Sequence, residues 1–298
     1  MTPEPTTVRQ ALARAARRLS VAGVDSPALS ARLLLGHVLG LDDIGLVRDA
    51  YKHLDASHLA AYEALVDRRA AGEPAAYILG RREFFGLDFA VTPATLVPRP
   101  ESEHLVEQAL GHCGDSSALL QFADLGTGSG CLAVCFALHR PRSMGVAVDR
   151  SLAALAVARK NARAHGVEGR LLFARCDFGA LCVQNESLDL VLANPPYVSA
   201  AEYKALSREV SGYEPRTALV PSEGEGGSGL EAIASLLPES RRVLKGGGAL
   251  VSEIGWEQGS RCLELARATR LPDGRRFEQC RIIQDLAGRD RVLFAVAG

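Results

Sequence analysis

The chain has 298 residues, room for two domains or one large one, with 47% hydrophobic and 23% charged side chains. That ordinary globular balance excludes a disordered or fibrous protein. Its 34 basic and 35 acidic residues leave a net charge of −1, which removes the strongly basic footprint of proteins that bind mainly through nucleic-acid phosphates. No run approaches the ~18 apolar residues that span a bilayer.

Val8, Leu12, Ala15 and Leu19 fall on one face of a helix, with Thr6 or Thr7 as its N-cap. Arg9, Arg14, Arg17 and Arg18 decorate this Ala-rich stretch and allow two readings, a mitochondrial transit helix or an ordinary surface. Only 4 of the 34 basic residues are Lys, so Arg-richness is a habit of the whole chain and favours the second. Residues 1–7 are polar and lack a signal-peptide core. The seven cysteines are odd in number, form no CxxC and lie partly in apolar runs, which indicates free thiols in a reducing compartment. A cytoplasmic location is expected.

Ser26-Pro27 opens a second helix over Ala28 to Leu39, and a shorter one runs through Ile44 to Ala50. Ser57 is the expected cap of another, with Leu59, Tyr62, Leu65 and Val66 on its buried side and Ala71-Gly72-Glu73-Pro74 at its end. Residues 1–75 thus read as a helical domain. Its charges alternate without a patch of one sign, which argues for a bundle rather than a nucleic-acid arm. Over 76–100 the period changes. Phe84, Phe85, Leu87, Phe89 and Val91, with Gly86 at a turn or bulge position, indicate a short linking hairpin.

From 101 to 298 short apolar runs alternate with helical stretches. Strands are expected at 119–124, 145–149, 170–176, 188–193, 249–254, 277–283 and 292–296, and helices at 131–138, 152–165, 229–244 and 258–268. Strands apolar throughout and separated by helices indicate a parallel sheet covered on both faces, an α/β doubly wound fold. Residues 221–229 are rich in Gly, Glu and Ser and read as a loop.

Where the first of these strands meets its helix stands Asp124-Leu125-Gly126-Thr127-Gly128-Ser129-Gly130. Glycines let the backbone turn sharply and approach a ligand, and the helix N-terminus offers free N–H groups. A dinucleotide fingerprint reads GxGxxG, whereas this one reads GxGxG. Asp124 places a carboxylate beside the turn, which suits a positively charged ligand such as S-adenosylmethionine better than a pyrophosphate. Asp149 ends the next strand, 23 residues after Gly126, close to the ~20 expected of an acid that binds ribose hydroxyls. An Asp before a helix is otherwise an N-cap, a task Ser151 is placed to take. Asp177-Phe178, after the third strand, suits a purine, the acid accepting from its amine and the ring packing on its face.

The fourth strand runs into Asn194-Pro195-Pro196-Tyr197, whose end belongs beside the glycine turn in a doubly wound sheet. Asn194 offers a carbonyl oxygen. Pro195 offers another, held by the fixed φ of Pro196 and the restriction it imposes on its predecessor. Tyr197 offers a flat face. Two converging acceptors and an aromatic plate are what methylation of a planar –NH2 requires, because a delocalised lone pair must be oriented and made pyramidal.

On these motifs the chain resembles the HemK/PrmC family, methyltransferases of the glutamine amide in peptide chain release factors. Further marks are Tyr77-Ile78-Leu79-Gly80, Phe84-Phe85-Gly86-Leu87, Val97-Pro98-Arg99-Pro100-Glu101-Ser102-Glu103, Glu214-Pro215-Arg216, Glu253-Ile254-Gly255 and Gly288-Arg289-Asp290-Arg291. The resemblance implies a small all-α N-terminal domain for substrate docking, a linking β-hairpin and a class I S-adenosylmethionine-dependent methyltransferase domain, Rossmann-like with its last strand antiparallel. It implies S-adenosylmethionine as cofactor, held by Gly126, Thr127, Gly128, Ser129, Gly130, Asp149, Phe178 and Asn194, to which the residues themselves add Asp124 and Asp177. A glutamine of a Gly-Gly-Gln loop is then expected against Asn194, Pro195, Pro196 and Tyr197. Phe178 stands where many members carry Trp. Arg99 either shapes this pocket or pairs with Glu101. The expected partners are release factors, with no direct nucleic acid, no membrane and a monomeric state.

The Asn-Pro-Pro-Tyr element is shared with DNA adenine-amino methyltransferases and with enzymes that act on a ribosomal-protein glutamine, so both stay as alternatives. An NAD-dependent oxidoreductase is more remote, since GxGxG spacing and the fourth-strand motif do not serve hydride transfer.

Overall fold

The Thr7 hydroxyl accepts from the Gln10 N–H at 3.3 Å while Gln10 Oε1 accepts from the Thr7 N–H at 2.8 Å, a reciprocal box that starts α1 (Val8–Val21). The arrangement comes from a computed structural model in which residues 6–114, 117–221 and 227–298 are described. Most of the loop expected over 221–229 therefore lies outside the described residues. Pro27 sits in the first turn of α2 (Pro27–Leu39), and Gly40 ends it at φ +65°; Ser26 precedes it without a side-chain cap. After α3 (Asp43–Arg48) comes α4 (Ala56–Ala70). Its cap is Asp55 rather than Ser57: the Asp55 carboxylate accepts from the His58 N–H at 2.8 Å and from the Ser57 hydroxyl at 2.7 Å. A five-residue helix, α5 (Ala75–Leu79), follows at a place where sequence periodicity shows none.

The chain forms two compact units, Met1–Arg81 with Ser207–Tyr213, and Arg82–Leu206 with Glu214–Gly298. The first is a helical bundle whose core includes Leu19, Leu34, Leu35, Tyr62 and Val66, all fully buried. Tyr62 carries its hydroxyl inward and donates to the Ala31 carbonyl at 3.1 Å, and burial pushes its ionisation well above that of a free phenol. Arg69, almost wholly buried, donates to Glu209 at 2.7 Å and so ties the 207–213 segment to the bundle.

The second unit begins at Arg82, within the hairpin of β1 (Arg81–Phe84) and β2 (Leu87–Ala90). Its two-residue turn, Phe85-Gly86, has positive φ at both positions, 53° and 75°. Then follow α6 (Glu103–His112), β3 (Gln121–Leu125), α7 (Cys131–His139), β4 (Met144–Asp149), α8 (Leu152–Ala164), β5 (Leu171–Arg175) and β6 (Leu188–Ala193). The chain continues through α9 (Ala200–Tyr203), α10 (Arg208–Tyr213), α11 (Glu231–Val243), β7 (Leu244–Glu253), α12 (Gly259–Ala268), β8 (Phe277–Gln284) and β9 (Asp290–Ala297). Seven strands form one sheet in the order β5-β4-β3-β6-β7-β9-β8. β9 runs antiparallel to both neighbours and the other adjacent pairs are parallel. The expected class I architecture with an antiparallel last strand is the one observed.

Strand register distributes the apolar side chains to two cores. Phe122, Leu190, Leu192 and Val251 pack on one face with α6 and α7, while Ala123, Leu125, Val191, Ala193 and Leu250 pack on the other with α11 and α12. Among the described residues no helix is long and apolar enough to cross a membrane.

Candidate active site

Register also builds the site. Leu125 pairs with Val148 on one side and with Ala193 on the other, and Ala193 in turn pairs with Ser252. The next residues along these four parallel strands, Gly126, Asp149, Asn194 and Glu253, therefore form one row at the carboxyl edge of the sheet. The chain reverses its winding between β3 and β6, and such a switch point opens a crevice. Here the crevice is a cavity of about 530 Å³, within the usual range for ligand pockets.

Gly126, Thr127, Gly128, Ser129, Asp149, Asp177, Phe178, Asn194, Pro196 and Arg99 line it together. Gly130, Pro195, Tyr197 and Asp124 belong to the same loops but are not in its lining. Asp124 is completely buried beneath the turn. Its Oδ2 accepts from the Thr127 hydroxyl at 2.6 Å and from the Ala133 N–H at 3.2 Å, whereas its Oδ1 has no partner. Burial pushes this carboxyl up to about 7, with those two donors opposing the rise.

Ser151 caps α8 through the Ala154 N–H at 3.1 Å, which leaves Asp149 free of that duty. Asp149 instead accepts from the Gly128 N–H at 3.0 Å and the Ser151 N–H at 2.8 Å, one on each oxygen. Each of its oxygens keeps a further lone pair for a ligand hydroxyl. Asp177 accepts from the Gly179 N–H at 2.9 Å and lies 3.5 Å from Arg150.

Arg99 pairs with Glu214, not with Glu101. The Glu214 carboxylate is wholly buried and also takes the Val97 N–H at 3.1 Å, so it offers the guanidinium a fixed partner that exposed Glu101 does not.

Two further residues back the site, Glu253 and Ser102, both inside stretches that carry the family resemblance but given no role by the sequence. Glu253, 2% exposed, accepts from Asn194 Nδ2 at 2.9 Å, from the Ser102 hydroxyl at 2.5 Å and from the Tyr197 hydroxyl at 3.1 Å. Ser102 in turn accepts from Asn194 Nδ2 at 3.0 Å. Burial raises the Glu253 carboxyl above its ordinary range against the pull of these donors. The Glu253 charge and burial keep the Tyr197 phenol protonated. In the sequence Glu253 and Ser102 stand only within Glu253-Ile254-Gly255 and the 97–103 stretch, with no spacing that links either to Asn194.

These residues fit S-adenosylmethionine. A Cβ added at Gly126 would meet only Phe178 Cε1, at 3.9 Å, so the turn leaves bare backbone beside an aromatic face. Asp149, Asp177 and Glu231 place carboxylates in the cavity lining, which suits a ligand that carries an ammonium and a sulfonium.

Two family models match the chain, the PrmC N-terminal domain over residues 10–80 and the methyltransferase small domain over residues 108–210. A release factor glutamine methyltransferase of Nitratidesulfovibrio vulgaris is 46% identical over 289 residues, 97% of this chain and 95% of that one. The enzyme of that name from Moorella thermoacetica is 41% identical over 97% of this chain and 98% of its own. For Geobacter sulfurreducens the figures are 40%, 98% and 97%. With likeness of this degree along nearly its whole length, the chain belongs to the release factor glutamine methyltransferase family.

Proposed function

We propose that the protein transfers a methyl group from S-adenosylmethionine to the side-chain amide nitrogen of a glutamine in peptide chain release factors, in the Gly-Gly-Gln loop that the family resemblance implies. One observation carries the reading. Both N–H bonds of the Asn194 amide are occupied from behind, and Asn194 lines the cavity that holds the glycine turn, so its Oδ1 is the acceptor left for a substrate.

Gly126 to Ser129 and the Asp149 carboxylate hold the cofactor, with the Phe178 ring beside the turn. The bound cofactor supplies an electrophilic methyl group. The chain's own residues must then make a poor nucleophile attack. Asn194 Oδ1 accepts one N–H of the glutamine amide and the Pro195 carbonyl accepts the other. Pro196 fixes its own φ and narrows the conformations of Pro195, which keeps that carbonyl in place. Two acceptors orient the nitrogen, favour its pyramidal form and stabilise the positive charge that grows on it. The nitrogen becomes acidic only as the N–C bond forms and then sheds one N–H proton to solvent, so no strong base acts before the bond forms. Tyr197, anchored through its hydroxyl to Glu253, braces the loop.

The near-zero net charge supports a protein substrate over DNA, and the free cysteines support a reducing, cytoplasmic setting. A monomer is the simplest state, checked by sedimentation. The decisive assay supplies labelled S-adenosylmethionine with a release factor, its Gln→Ala variant, a ribosomal protein or duplex DNA. Label on the intact release factor alone is expected. Label on DNA, or undiminished label on the Gln→Ala factor, overturns the reading.

A further inference from the structure

We infer that Glu253 is a positioning residue for methyl transfer, whose carboxylate holds the Asn194 side-chain amide in one orientation, oxygen toward the substrate and amino group away. The inference rests on the function proposed above and deepens it.

An asparagine amide is nearly symmetric in shape, so something must tell its two ends apart. Ser102 alone cannot, because a hydroxyl donates or accepts with equal ease. The carboxylate settles the matter. With Glu253 ionised, its Oε2 takes the single Ser102 proton at 2.5 Å, which leaves Ser102 Oγ able only to accept from Asn194. Asn194 Nδ2 thus faces two acceptors, Ser102 Oγ at 3.0 Å and Glu253 Oε2 at 2.9 Å. A flipped amide would set its oxygen against both, with no proton between them.

The contact is built by backbone, since the pairing of Ala193 with Ser252 makes Asn194 and Glu253 neighbours on adjacent strands. Water offers no substitute at a side chain 2% exposed. The second carboxylate oxygen takes the Tyr197 hydroxyl at 3.1 Å, so one acid fixes both ends of the tetrapeptide. A wrongly turned Asn194 would present a donor to a substrate that itself brings donors.

Three variants test this, read by kinetics and by the side-chain amide signals of Asn194 in 15N spectra of the free protein, assigned by their loss in Asn194→Ala. In Glu253→Gln the carbonyl can take the place of Oε2 and the new amino group can face Tyr197. Its kcat is expected within about fivefold of wild type, with the Asn194 signals retained. Glu253→Leu removes the acceptor. Its kcat is expected to fall by about 10² while the cofactor dissociation constant moves by less than about threefold, and the protected Asn194 signals disappear. Ser102→Ala keeps the carboxylate, so it is expected to lose less than about tenfold and to retain one protected proton. It decides the matter if the leucine variant does not fold. Full activity in Glu253→Leu, or a loss in Ser102→Ala with both Asn194 protons exchanging freely, overturns the inference. So does a loss in Glu253→Gln as deep as in Glu253→Leu, which would make the acid a proton acceptor. If wild type leaves release factors unlabelled, the proposed function falls, while the Asn194 signals still judge the orientation.

Discussion

Arg99 donates to Glu214, a carboxylate with no exposed side-chain surface, across 115 residues of sequence. The same carboxylate holds the Val97 N–H at 3.1 Å, so it organises the segment that carries Pro98 and Arg99 into the cavity wall. Removing it leaves a buried backbone donor and a guanidinium without their acceptor. Glu214→Ala is expected to destabilise the protein by about 2–3 kcal/mol, because each bond to a charged group contributes more than a neutral one. Urea unfolding measures this directly. An unchanged midpoint would show that the pair contributes nothing to the fold.

Asn194→Ala deletes the acceptor on which the proposed chemistry turns. By comparison with loss of one oxyanion-hole donor, kcat should fall by about 10²–10³, or about 3–4 kcal/mol of transition-state stabilisation. The release-factor KM should change much less, since the contact strengthens as charge develops on nitrogen. Steady-state kinetics separate the two constants. A variant with wild-type kcat would remove Asn194 from the mechanism.

What the sequence reveals of this site follows from how local each signal is. Leu188 to Ala193 is a strand at the expected bounds because an apolar run broken only by Asp189 meets Asn-Pro, which cannot continue it. The glycine turn is legible for the same reason. Ser102 and Glu253 act on Asn194 from 92 and 59 residues away, and only the pairing of β6 with β7 and the folding back of the 97–102 segment bring them there. No spacing rule contains that register. α5 is too short for periodicity to show, and the Asp55 cap takes precedence over Ser57 because a carboxylate accepts both the His58 N–H and the serine hydroxyl.

Asp124 makes stability depend on pH. Its carboxyl stands at about 7 in the folded protein and near 3.8 in an unfolded chain. Between those values the unfolded chain has released this proton and the native state still binds it. Stability contributed by the group is therefore present below about pH 4 and declines as pH rises through about 7, by about 4 kcal/mol in all. Asp124→Asn cannot titrate, so its unfolding free energy should lack this decline. Urea titrations of both proteins at pH 5, 6, 7 and 8 compare the slopes. Parallel slopes would mean that Asp124 is ionised throughout, with its unpartnered oxygen satisfied by means other than a proton.

Two glycines of the turn should respond differently to the same methyl group. Gly126 and Gly130 both have positive φ, +73° and +81°, so Ala at either is strained by about 1–2 kcal/mol. At Gly130 the added Cβ would also lie 3.0 Å from Ala158 Cβ and 3.1 Å from its Cα, where α8 backbone cannot yield cheaply. Overpacking of that kind adds about 1–3 kcal/mol, so Gly130→Ala should lose about 2–5 kcal/mol of stability. At Gly126 the nearest atom is Phe178 Cε1 at 3.9 Å, so the methyl group meets no packed neighbour and its effect falls on the cavity wall. Gly126→Ala should therefore stay close to wild type in stability beyond its backbone strain, while cofactor affinity by calorimetry drops by about tenfold or more. Equal unfolding losses in the two variants, with cofactor affinity unchanged at Gly126, would place the ligand elsewhere than against this turn.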